Sequence, residues 1–91
     1  MVNLGLRLVA PVDVRIIGIN WTNWLAQIGS TISGSSWTVP AGLTTGATSN
    51  TTLRTYITLS GWSAGSSYTV YNTISTASGE TRQVAFDVEC K

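Results

Sequence analysis

A chain of 91 residues with five basic and four acidic side chains, net charge +1, has the length of one small domain and no basic stripe for a phosphate backbone, which excludes nucleic acid. Only 10% of it is charged, against ~25% in an ordinary soluble domain, so copies repel one another little and use in an assembly is expected. The lone Cys90 makes neither an internal disulfide nor a zinc site, and no apolar run is long enough to span a bilayer, which sets aside metal, cofactor and membrane.

Taken in order, residues 3–9 (NLGLRLV) alternate Leu4, Leu6 and Leu8 against Gly5, Arg7 and Val9, the period of a half-buried strand. Pro11 ends it, so residues 1–10 are expected to form an edge strand or an N-terminal arm that completes a sheet elsewhere, and residues 11–91 the domain proper. No signal for secretion stands at the start, so synthesis in the cytoplasm without processing is expected. Val12, Val14 and Ile16 then alternate with Asp13 and Arg15 and run on through Ile17, Gly18 and Ile19. This predicts a strand over 12–19, buried on both faces in its far half or bulged near Gly18.

Residues 20–29 (NWTNWLAQIG) break the pattern. Trp21, Trp24, Leu25 and Ile28 recur at spacings of three and four, which is one apolar face of a helix. Asn20 is a suitable N-cap and Gly29 can end the turn in a left-handed conformation. Two turns of helix do not persist alone in water, so the stretch is expected to be a plug over the open end of a sandwich.

After the plug, residues 31–39 (TISGSSWTV) read as a strand bulged around 33–35, and 44–52 as an exposed loop or irregular edge. Leu53, Thr55, Ile57 and Leu59 share one face of the next strand, opposite Arg54, Tyr56 and Thr58. GWSAG at 61–65 reads as a hairpin loop with glycines at positive φ. Tyr68, Val70, Asn72 and Ile74 form a buried set in which Asn72 is the one amide, expected to find partners at the plug or the sandwich end. Val84, Phe86 and Val88 close the core. About seven short strands with glycine or proline turns predict an all-β fold, a small immunoglobulin-like antiparallel β-sandwich with one short helical plug near residues 20–28.

Catalysis is not expected. The chain lacks histidine, its carboxylates (Asp13, Glu80, Asp87, Glu89) are dispersed, and Cys90 falls in phase with buried Val88 and Phe86. Trp21, Trp24 and Trp37 fall in phase with aliphatic neighbours and are assigned to the core. Trp62, in a glycine-flanked loop, is instead assigned to a contact with another chain, with outward-facing Tyr56 and Tyr71 in second place. Exposed aromatics would equally serve a carbohydrate-binding module for host-surface glycans, so that reading stands as an alternative.

The segments NWTNWL (20–25), SWTVPAGL (36–43), TLSGWSAG (58–65) and YTVYNTISTASGE (68–80) resemble a family of small bacteriophage virion proteins of the fibre-tail adaptor or Ig-like head and tail type, over residues 11–90. Asn20, Asn23 and Ser30 stand where those relatives usually carry aspartates, and Trp62 where they have a glycine. The resemblance implies a non-catalytic virion structural protein. It would dock on capsid, portal, neck or tail fibre in several symmetric copies and link or stabilise its neighbours; a capsid cement or decoration protein is the alternative. Leu4, Leu6, Leu8 and Trp62 are then the foremost protein-contact residues.

Overall fold

A computed structural model describes the backbone from residue 2 to 91 and the side chains from residue 5 onward. Leu4 therefore lies outside the described side chains. The chain is an all-β sandwich: seven strands and one short helix run β1 (Val2–Val9), β2 (Arg15–Asn20), α1 (Thr22–Ile28), β3 (Ile32–Thr38), β4 (Thr44–Asn50), β5 (Arg54–Ser60), β6 (Ser67–Thr76) and β7 (Thr81–Cys90). One sheet has the order β1-β7-β6-β3, the other β2-β5-β4. All pairs are antiparallel except β1 with β7, which is parallel.

Alternation builds the core. From β5 come Thr55, Ile57 and Leu59, from β6 Val70, Asn72 and Ile74, and from β7 Val84, Phe86, Val88 and Cys90, all pointing between the sheets and all buried. The bulge expected in β3 is present, since the register with β6 shifts between Ile32 and Gly34. The segment after Leu43 is the irregular edge of the two alternatives. It is strand β4, exposed at every residue and slipping register against β5 between Thr45 and Thr48.

Two expectations for β2 fail. Its pairing with β5 is regular from Arg15 to Asn20, with no bulge at Gly18. Gly18 is needed for another reason: a Cβ there would come within 2.9 Å of the Tyr56 ring, which lies across it from β5. Nor is the far half buried on both faces, because Ile17 and Ile19 face the core while Ile16 remains 73% exposed.

Helix α1 plugs one end. Leu25 is fully buried, Trp21 nearly so, and Trp24 and Ile28 pack half-buried against them. The indoles of Trp21 and Trp24 meet edge to face at 5.8 Å, and the Arg82 guanidinium lies 5.1 Å from the Trp24 ring centre. The N-terminus differs by one residue from expectation. Trp21 occupies the N-cap position without a side-chain bond, while Asn20 Oδ1 accepts the Thr22 N–H at 3.0 Å from one residue outside. At the other end Gly29 adopts φ 61°, ψ 38°, and its N–H is donated to the Leu25 carbonyl. A Cβ on Gly29 would touch nothing within 4 Å, so Gly29→Ala carries only the backbone cost of a left-handed alanine. Its expected loss of unfolding free energy, by chemical denaturation, is ~1 kcal/mol, with Gly29→Asn losing less.

Candidate functional site

The connection GWSAG at 61–65 is not a hairpin. It leaves β5 in the three-stranded sheet and delivers the chain to β6 in the four-stranded one, so it crosses the end of the sandwich opposite α1. Gly61 and Gly65 do take positive φ, 81° and 78°. The crossing turns Trp62 inward: it is 4% exposed, donates Nε1–H to the Asp13 carbonyl at 2.9 Å, and meets Tyr68 edge to face at 5.7 Å. The expected contact role for Trp62 is therefore corrected to a core role. Tyr68 is held in turn by the Ser63 N–H, donated to its hydroxyl at 3.0 Å, which favours the phenolate and lowers its pKa.

Asn72 is the polar centre of the core. Its Oδ1 accepts from Thr55 Oγ1 at 2.7 Å and Trp21 Nε1 at 3.3 Å; its Nδ2 donates to Ser35 Oγ at 3.0 Å and the Ser36 carbonyl at 2.9 Å. Both acceptor and both donor positions of the amide are thus filled, joining β6 to β3, β5 and the entry to α1. Trp21 Nε1 is shared with Thr55 Oγ1 at 3.2 Å. Thr55 was detectable in sequence as a hydroxyl on the apolar face of β5, the same signal that marked Asn72.

These networks hold the fold together, and the surfaces available to partners lie elsewhere. Leu6 and Leu8, on the outer face of β1, are 58% and 56% exposed. They lie beside Asp87 and Glu89 of β7 in the parallel register. Among the described side chains of β1 the buried one is Val9, so the inward face there has the opposite phase from Leu6 and Leu8. Tyr71, half-buried on β6 opposite Ala85, shares the outer face of the same sheet. Tyr56 is half-buried on the far sheet beside Gly18, which separates it from the leucines. Sequence reasoning missed three further residues: Val12 (89% exposed), Val14 (67%) and Ile16 (73%). Their alternation was legible, but it belongs to an outward face.

The carboxylates are dispersed. Asp13 Oδ2 accepts the Ala10 N–H, Asp87 Oδ1 accepts from Thr69 Oγ1, and Glu89 pairs with Lys91 at 2.9 Å. Among the described residues no three metal-ligating side chains of histidine, cysteine, aspartate or glutamate converge. A cleft of about 60 Å³ opens between β3 and β4, lined by Ser35, Trp37, Thr48, Ser49 and Asn50. It is a shallow cleft, partly open to solvent and with a mostly polar lining. Among the described residues, no helix is long and apolar enough to cross a membrane.

Residues 10–89 match a protein family described as podophage GP4 fiber-tail adaptor protein gp77. No curated protein matches the chain. With all but the two ends of the sequence matched, the chain belongs to this fibre-tail adaptor family and is a structural protein of the phage virion.

Proposed function

From that membership we propose that the protein is a non-catalytic subunit of the phage tail, present in several copies, which docks on neighbouring virion proteins and links them. The observation that carries the reading is the distribution of exposed aliphatic side chains. Of the six large ones among the described residues, Leu6 and Leu8 lie together on the outer face of β1, Val12 and Val14 in the connection that follows it, Ile16 on the outer face of the other sheet, and Leu53 before β5. A small domain scatters such residues singly, whereas two neighbouring leucines on one sheet face form a patch that another protein can cover. Leu6 and Leu8 supply the apolar centre of the contact on the four-stranded sheet, and Tyr71 its aromatic flank. Several such contacts, repeated around a symmetric tail, hold together without a large interface on any one copy.

The test is the double substitution Leu6→Asn, Leu8→Asn, which removes the apolar face without setting a carboxylate opposite Asp87 or Glu89. Both side chains are exposed, so the folded domain is expected to keep its melting temperature within a few degrees. Incorporation into particles, measured by quantitative mass spectrometry of purified virions, is expected to fall at least about tenfold. Wild-type incorporation by a folded variant would remove the leucine face from the contact.

A further inference from the structure

We propose that β1 is an exchangeable arm, able to leave its own β7 and seat on β7 of a second copy of this chain. This deepens the adaptor reading by naming how copies join one another.

Three observations meet at this strand. First, the family match begins at residue 10, so β1 lies outside the matched domain, and the edge of β7 that it covers belongs to the matched part. Second, the described side chains of β1 bury little. Gly5, Leu6, Arg7 and Leu8 are exposed on both faces of the strand, and only Val9 among its described side chains is buried. Its pairing is parallel, the slightly weaker geometry, and shifts register between Asn3 and Leu6. Arg7 contributes a guanidinium 5.6 Å from the Phe86 ring centre, and Lys91 N–H bonds to the Val9 carbonyl. A second copy's β1 reproduces every one of these contacts, so the seat on β7 is complementary to it without change.

Third, the connection between β1 and β2 is at odds with its own sequence. Val12, Val14 and Ile16 alternate with Asp13 and Arg15 as an extended strand would, yet the chain turns at Pro11 and Val12 and β2 begins only at Arg15. The turn is closed by the Asp13 N–H donated to the Ala10 carbonyl at 3.0 Å and by the Ala10 N–H donated to Asp13 Oδ2 at 2.9 Å. It leaves Val12 89% exposed at a central turn position that favours small polar residues. Trp62 ties the Asp13 carbonyl to the domain, which confines the pivot to residues 10–12. Opening that turn makes the chain extended through Val12 and Val14, and two such hinges side by side cover valines that the closed form exposes. Because the β1–β7 contacts are the same in both forms, the balance rests on the hinge and on concentration, and a short hinge that exposes Val12 favours exchange.

Leu8 and Glu89 are register partners on the outer face, and neither belongs to the core. Two full-length variants carry the test, Leu8→Cys with Cys90→Ser and Glu89→Cys with Cys90→Ser, one of them isotope-labelled. They are mixed at concentrations up to about 1 mM and treated with a short thiol crosslinker. Exchange predicts a mixed covalent dimer exceeding the two like dimers by about tenfold, rising with concentration and rising further when Asp13→Ala removes one turn bond. A single chain carrying both cysteines and Cys90→Ser reports the closed strand and the reach of the crosslinker. Strong internal crosslinking there, with mixed dimers no more abundant than like dimers at every concentration and in Asp13→Ala, overturns the proposal. The presence of the chain in purified virions is measured apart from this. Its absence would remove the adaptor reading and leave strand exchange standing.

Discussion

Replacing Asn72 with leucine is expected to lower the unfolding free energy by ~3–5 kcal/mol, although it exchanges an amide for an aliphatic side chain of similar size at a fully buried position. The leucine gains favourable burial, but four polar groups lose their partner at once. The Thr55 hydroxyl loses its acceptor, the Trp21 indole keeps only Thr55, and Ser35 Oγ and the Ser36 carbonyl lose their donor. A buried group left without a partner costs ~1–3 kcal/mol, and the two serine groups, being part-buried, recover some of that from water. The network makes a second result expected. Thr55→Val alone breaks two bonds, its donation to Asn72 Oδ1 and its acceptance from Trp21 Nε1, whereas in the Asn72→Leu background only the second is left for it to break. The Thr55–Asn72 bond is lost in each single variant but only once in the double, and the Trp21 indole, left without its last partner, offsets part of that, so the double variant is expected to be ~0.5–1 kcal/mol stabler than the sum of the single losses. Urea titrations of the four proteins decide it; simple additivity would mean that Asn72 acts through its volume and not its bonds.

The contrast between Asn72 and Trp62 shows where sequence carries structure and where it does not. Asn72 was found because β6 is covered on its inner face along its length, so that Tyr68, Val70, Asn72 and Ile74 show a period that one odd amide cannot disguise. The same holds for Gly29, where helical spacing upstream fixes the cap, and for Ile57 and Leu59 in β5. The phase of β1 was not legible in this way. Alternation divides Leu4, Leu6 and Leu8 from Arg7 and Val9, but a strand whose described residues 5–8 are exposed on both faces has little to say which set turns inward, and Val9 is decided by contacts at the sandwich end. β4 was hidden for a related reason. Its seven residues are all exposed, so it has no apolar period, and it is a strand only because β5 offers it a hydrogen-bonding edge. Trp62 depended on something more remote. Whether GWSAG is a hairpin or a crossing between sheets is set by whether β5 pairs with β6, a long-range choice that the loop's own glycines do not encode.

That crossing makes Trp62→Ala the sharpest separation of the two roles an indole in such a loop could have. As a core residue, Trp62 leaves a cavity between Tyr68 and the β1–β2 connection and strands the Asp13 carbonyl, so truncation is expected to cost ~3–5 kcal/mol. For a domain of this size, with ~5–14 kcal/mol in all, that is a fall in melting temperature of about 15–30 °C. A residue that served only a partner would leave the melting temperature of the isolated protein unchanged, and that outcome in a thermal scan would return Trp62 to the surface. Trp62→Phe divides the effect further. It keeps a ring against Tyr68 and removes the N–H, so the expected loss is ~1–2 kcal/mol, most of it from the unpaired carbonyl. Because the same bond anchors Asp13 next to the Pro11 turn, Trp62→Phe is also expected to loosen the hinge and raise the yield of exchanged β1 at a given concentration. A variant that loses stability without changing exchange would show that the turn is held by Asp13 and Ala10 alone.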